Sequence, residues 1–413
     1  MKTTPTSLLL ARGFAVLALL IVGCASKPKE AAAPPAAFWP PYPDEPKIQF
    51  LTSFESSKDV EPEKSSLDKL VYGKENESVL AIKKPYGVDM FNGKIYVCDL
   101  RNAALTVLDL RKQQTLVLGR TGGDTLQTPS DIVISPDGYK YVSDVAKGKI
   151  FVFDPNEKQA GSFGTEGMKP TGIALRGEEL FVCNFATQRV EVLNRRTGKL
   201  ERFIGEQGMG DGQFIRPLGI AVDKHGNLYV ADVMKCTVQK FDPSGKFVQS
   251  FGTISPNAGG LVRPKQMAVD NDGTLYVVDA AFQNVQLFND VGQVYTFFGS
   301  PGSHPGAMYL PAGICVHEGD LDIFAKYIHP AFEAQRLIIV TNQFGLNKIS
   351  VYAFGHLKPG KTVADIAASQ GIVPLGTSAT TQPVLPAPTA EPGDLPDTTE
   401  HPATTGPAAP ARK

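Results

Sequence analysis

Pro217-Leu218-Gly219-Ile220-Ala221-Val222-Asp223, then Leu228-Tyr229-Val230-Ala231-Asp232, then Lys246-Phe247-Val248-Gln249-Ser250-Phe251-Gly252: these three phrases decide the fold. Each is short, rich in β-branched and aromatic residues, and bounded by Gly, Pro or Asp, which is how strands and their turns read. The opening phrase returns at Pro85, Pro129, Pro170, Pro264 and Pro311, so successive prolines lie 44, 41, 47, 47 and 47 residues apart. The second phrase returns as runs ending at Asp99, Asp144, Asn184, Asp279 and Asn342. Third strands follow at Leu105 to Leu108, Ile150 to Phe153, Val190 to Leu193, Val238 to Phe241, Val285 to Phe288 and Ile349 to Tyr352.

Four strands in about 45 residues is the size of one propeller blade, and a blade cannot cover both of its own faces. The expectation is therefore an all-β, six-bladed β-propeller. The sixth unit stops at Tyr352-Ala353-Phe354 without a fourth strand, while Lys47 to Phe54 stands before the first unit with no repeat of its own. That segment is expected to complete the last blade, which closes the ring and hides an open strand edge. The Pro-x-Gly-Ile-Ala-Val-Asp phrase, the Leu-Tyr-Val-Ala-Asp phrase and the closing Phe-Gly resemble the NHL repeat, over roughly 47–354. Pro217 to Gly252 carries all three.

The flanks read differently. Lys2 and Arg12 precede an apolar run from Phe14 to Val22, too short for the ~20 residues that span a bilayer. That is the pattern of a secretory signal over 1–23. Leu20-Ile21-Val22-Gly23-Cys24 resembles the bacterial lipobox, which implies a covalent lipid on Cys24. The layout is similar to that of bacterial NHL-repeat lipoproteins. Ala25 and Ser26 after the cysteine favour the outer membrane over the inner in that pattern. Residues 24–46, rich in Ala and Pro, read as an extended tether, with Trp39 and Tyr42 docking on the propeller. Residues 357–413, rich in Pro, Thr and Ala, read as a largely disordered tail, with a short helix at Val363 to Ala368.

Function is less legible, because a fold hosts many functions. The repeated Asp and Asn residues read as turn caps, since these side chains habitually accept backbone N–H bonds. Just beyond them, Arg101, Lys147, Phe185, Met234, Lys235, Phe282, Gln343 and Phe344 mix cations with large apolar groups. Such loops suit a protein-binding face. Tyr86, Ser130, Thr171, Leu218, Lys265 and Ala312, one residue past each proline, are expected to line the channel mouth. An insertion at about 317–336 interrupts the sixth unit and is expected to join the partner-binding face. Its His317, Glu318, Asp320 and His329 are weak metal candidates with no known zinc spacing.

No metal ligand set, cofactor or catalytic residue is assigned. Net charge is −1, without the basic footprint of a nucleic-acid binder. Besides Cys24, Cys98, Cys183, Cys236 and Cys315 lie at positions unsuited to pairing and are expected as buried thiols. The leading expectation is a non-catalytic, lipid-tethered propeller in the cell envelope that binds another envelope protein. The alternative is a metal-dependent hydrolase or lyase acting in the central channel.

Overall fold

The computed structural model describes residues 37–62, 79–122 and 124–369. The signal segment, Cys24, most of the tether and the tail beyond 369 lie outside the described residues. None of the described helices is long and apolar enough to cross a membrane.

The repeats fold into a six-bladed propeller. Blade one runs Pro85–Phe91, Lys94–Asp99, Ala104–Asp109 and Gln114–Leu118, each strand antiparallel to the next. Blades two to five repeat this order, with inner strands Pro129–Ile134, Pro170–Arg176, Pro217–Val222 and Pro264–Val269. Blade six starts at Pro311–His317 and continues through Phe332–Asn342 and Ile349–Leu357. The ring closes as expected: Ile48–Phe54 pairs antiparallel with Ile349–Leu357, Ile48 opposite Phe354 and Phe54 opposite Ile349.

The core lies between blades. Phe181, Val190 and Val192 of blade three pack against Ile220, Leu228, Val230 and Phe241 of blade four, all essentially excluded from water. Both faces of a second strand are covered, so Leu228–Asp232 is buried at every position rather than at alternate ones. At roughly 1.5–3 kcal/mol per fully buried large apolar side chain, these layers hold the ring together.

The repeat glycines have a steric cause. A Cβ on Gly219 would collide with the Lys265 carbonyl oxygen, and one on Gly172 with that of Leu218. Adjacent inner strands thus approach backbone to backbone around the axis. In every blade the ladder is irregular just after the proline, as between Pro217 and Gly219. The bulge tightens the local twist there.

Three expectations need correction. The tether does not stop short of the sheet: Phe38–Trp39 adds a fifth strand to blade six, outside Ile48–Phe54. Phe38 is buried against Phe332, ring centroids 5.7 Å apart, and Trp39 stands 5.9 Å from Tyr352. Aromatic burial outweighs the extended bias of the neighbouring prolines.

The insertion is also shorter than 317–336. Phe332 already belongs to an 11-residue strand, and Phe332 pairs with Leu357, past the expected edge of the propeller at 356. The short helix forms over Val363–Ser369 with Ile366 and Ala367 buried. The third correction concerns where the insertion lies, and follows with the site.

Candidate functional site

A propeller has two ends. Inner strands begin at one end, and second-to-third connections return to it; first-to-second and third-to-fourth hairpins lie at the other. The repeated acids build the first end. Asp232, fully buried, accepts N–H bonds from Ile215 (2.7 Å), Arg216 (3.0 Å), Met234 (3.0 Å) and Lys235 (3.1 Å). Asp99 does the same for Lys83, Lys84, Arg101 and Asn102, and Asp279 for Val262, Arg263, Ala281 and Phe282. Each side chain ties its own turn to the segment entering the blade. The residue before the repeat proline is thereby pinned beside the channel mouth.

Asn184 achieves this with one oxygen, accepting from Lys169 and Ala186 at 3.0 Å. Its amide donates to Glu191 at 2.6 Å. These residues are turn caps.

The loops held this way carry part of the expected partner-binding set. Met234 and Phe344 are 58% and 41% exposed, and Arg101 is exposed. Half-buried Phe185 lies under the Arg216 guanidinium, 4.7 Å from ring centroid to Cζ. Lys147 pairs with Asp124 at 3.4 Å, and Lys235 Nζ donates to the carbonyls of Gly210 and Gln213.

Phe282 and Gln343 do not fit an exposed role, because each is only 2% exposed. Both side chains are withdrawn from water. Sequence reasoning missed Leu346, Ile254 and Met209, exposed at 76%, 75% and 70%. The signal was present as apolar residues in Gly-containing loops, Met209 and Ile254 between blades and Leu346 between the second and third strands of blade six. Among the described residues, these three and Met234 are the most exposed large hydrophobics, and all four sit at the mouth end.

The six positions after the prolines do not all line an open mouth. Ser130, Thr171, Lys265 and Ala312 are buried; Tyr86 and Leu218 are half-buried. Ser130 Oγ meets Ser143 Oγ at 2.9 Å, and Thr171 Oγ1 donates to the Cys183 carbonyl. Lys265 Nζ lies 5.3 Å from the Tyr86 ring centroid, bringing blades one and five together. Deeper, Asp131 stands where four of the other blades have glycine, and its carboxylate accepts the Ile173 N–H at 2.9 Å. Burial pushes Asp131 up to about 7, against the pull of the Ile173 and Ile132 N–H groups and Gln266. Asp89 is raised to about 7 by the same cause.

The insertion belongs to the opposite end. It joins the first and second strands of blade six, and Asp320 reaches the hairpins of blade one, accepting from Gly93 N at 2.8 Å and Arg111 at 2.6 Å. It straps the closing joint rather than widening the mouth face.

The weak metal candidates are dispersed by the same packing. His317 Nε2 meets Asp320 at 3.0 Å, Glu318 bonds Asn271, and His329 stacks edge-on to Phe38 with centroids 5.8 Å apart. Among the described residues no three His, Cys, Asp or Glu side chains are placed to share a metal ion. Cys98, Cys183, Cys236 and Cys315 are buried and free.

Comparison with known proteins agrees with the fold. A family model described as a 6-bladed beta-propeller matches residues 166–252. E3 ubiquitin-protein ligase TRIM71 of Rattus norvegicus is 32% identical over 138 residues, 31% of this chain and 14% of that protein. The match thus spans a small part of the relative. A solved structure of a protein of unknown function from Bacteroides thetaiotaomicron superposes with a TM-score of 0.52 at 14% identity, covering 74% of this chain and 75% of that one. Virginiamycin B lyase from Staphylococcus aureus gives a TM-score of 0.47 at 15% identity, covering 66% and 95%. The domain is a six-bladed β-propeller.

Proposed function

We propose that this chain is an exported lipoprotein, anchored through Cys24, whose propeller is a non-catalytic module that binds another protein of the cell envelope at its channel-mouth end. The observation that carries the binding reading is the gathering of Met209, Met234, Ile254 and Leu346 on loops at one end of the ring. Large apolar side chains held out into water by well-formed turns lose free energy unless a partner covers them. Phe344 and the Phe185–Arg216 pair add the residue types enriched at protein interfaces. The anchor rests on the charged start, the short apolar run and the Leu20-to-Cys24 motif, with the outer membrane favoured by Ala25 and Ser26.

Affinity capture from envelope extract tests this reading. Met234→Ser/Phe344→Ser/Leu346→Ser should lose the captured protein, while Val291→Ser at the opposite end should keep it. Equal recovery by both would overturn the assignment. Cys24→Ser should release the chain from the membrane fraction; continued fractionation with membrane would overturn the lipid anchor.

A further inference from the structure

The arginines divide by end. Among the described residues, Arg111, Arg176, Arg195, Arg196, Arg202 and Arg336 belong to the hairpin end, and every one is paired with a carboxylate. Examples are Arg111 to Asp320 at 2.6 Å, Arg195 to Glu178 at 3.0 Å and Arg336 to Asp270 at 2.5 Å. At the mouth end stand Arg101, Arg120, Arg189, Arg216 and Arg263, none within ion-pair distance of a described carboxylate. A chain of net charge −1 has thus placed its unneutralised guanidinium groups together.

The repeat explains how. Four of the six residues before the prolines are basic: Lys84, Lys169, Arg216 and Arg263. The nearby acids, Asp99, Asp144, Asp232 and Asp279, spend their oxygens on backbone N–H groups inside the turns. Arg216 and Arg263 stand just before the inner strands Pro217–Val222 and Pro264–Val269 of neighbouring blades, whose backbones meet where Gly219 faces the Lys265 carbonyl, so both guanidinium groups arise on one side of the mouth. Burial, with Tyr86 opposing and Arg263 adding to it, pushes Arg216 below its ordinary range. Lys265 lies over the same Tyr86 ring. The Arg216 and Arg263 guanidinium groups, with no ion pair to a described carboxylate, raise the energy of the unbound state, and an anionic ligand relieves it.

We infer that Arg216 and Arg263, at the channel mouth, receive the carboxylates of an acidic segment of the partner protein. This inference rests on the protein-binding reading of the same end and names the partner's chemistry. Bidentate guanidinium–carboxylate pairs supply the polar centre. The exposed Met234, Phe344 and Leu346 call for apolar side chains between the partner's acids, which a phosphate polymer or lipid headgroup does not provide.

The test uses the mature chain and a fluorescein-labelled decapeptide of alternating Glu and Leu, followed by anisotropy. The peptide should bind, and binding should weaken as NaCl rises from about 50 to about 300 mM. Arg216→Gln/Arg263→Gln should weaken it roughly tenfold or more, Arg216→Lys/Arg263→Lys should retain most of it, and Arg196→Gln at the opposite end should leave it unchanged. Absence of binding, indifference to the Gln pair, or equal binding of an oligouridylate of the same charge would each overturn the inference. Thermal midpoints confirm that the variants fold. Envelope capture separates the two readings. Capture that survives the Gln pair but not the apolar-rim triple overturns the acidic segment and leaves protein binding standing. Capture indifferent to both overturns both.

Discussion

Replacing Asp232 should be among the most damaging single changes in the propeller, and the damage should be partly repairable by a residue two positions along the neighbouring strand's ladder. Asp232→Ala leaves four N–H donors without their acceptor, those of Ile215, Arg216, Met234 and Lys235. A hydrogen bond to a charged acceptor is worth about 1.5–3 kcal/mol. Water can reach the outer two donors, so we expect a loss of about 3–5 kcal/mol, read as a shift in urea midpoint at constant slope. Asp232→Asn keeps one oxygen but adds an NH2 group that needs an acceptor. In blade three Glu191 serves that purpose for Asn184, at 2.6 Å. The equivalent residue in blade four is Gln239, opposite Val230 as Glu191 is opposite Val182; its oxygen already accepts the Gly212 N–H at 2.9 Å and its NH2 donates to the Gln213 carbonyl at 2.8 Å. Asp232→Asn should therefore cost about 1–3 kcal/mol, and adding Gln239→Glu should recover about 1–2 kcal/mol of coupling in a double-mutant cycle. Additivity within about 0.5 kcal/mol, or an alanine variant losing under about 1 kcal/mol, would refute the capping account.

Four further outcomes are expected. Deleting residues 1–46 should leave a folded ring, weakened by loss of the Phe38 and Trp39 contacts, whereas deleting 1–54 should yield aggregated protein by light scattering, because the outer edge of blade six is bared. Gly219→Ala should cost at least about 3 kcal/mol in chemical denaturation, since its Cβ meets the Lys265 carbonyl, a backbone atom that cannot swing away. Asp131 carries its proton more tightly folded, near 7, than unfolded, near 3.8. The native state therefore binds more protons in that window, and this group's contribution is present below about 4 and is lost as pH rises to 7. Asp131→Asn should gain stability relative to wild type between pH 5 and pH 8, as seen in paired urea melts; a pH-independent difference would contradict it. Native protein should show no thiol reactive with an aromatic disulfide reagent from Cys98, Cys183, Cys236 and Cys315, and denaturant should expose all four.

Periodicity carried the fold. A proline-to-proline interval near 45 residues, a lone strand before the first unit and a last unit short of its fourth strand leave a ring closed by Ile48–Phe54 as the arrangement that covers every face. What the pattern could not show was a fifth strand of two residues, because Phe38–Trp39 is set by aromatic packing and not by alternation. Phe282 and Gln343 lie on the same kind of turn as Phe185 and Phe344, and Gln343 even shares the offset of Phe185 from its asparagine, so the packing around each turn and not sequence position decides which side chain meets water.

The end occupied by the insertion was legible and was missed. A connection between first and second strands lies across the ring from one between second and third, whatever its residues. The basic positions before the prolines were also in plain view as Lys84, Lys169, Arg216 and Arg263. Overall charge near zero concealed them, because a whole-chain sum does not show at which end of the ring a charge stands.

The most direct test of the central claim places a photocrosslinking benzoylphenylalanine at Met234 in one strain and at Val291 in another, and irradiates intact cells. The account predicts a covalent adduct with a second envelope protein from the Met234 position and none from Val291, at the opposite end of the ring. Adducts from Val291 alone would show that the partner meets the hairpin end, and the channel-mouth account would be wrong.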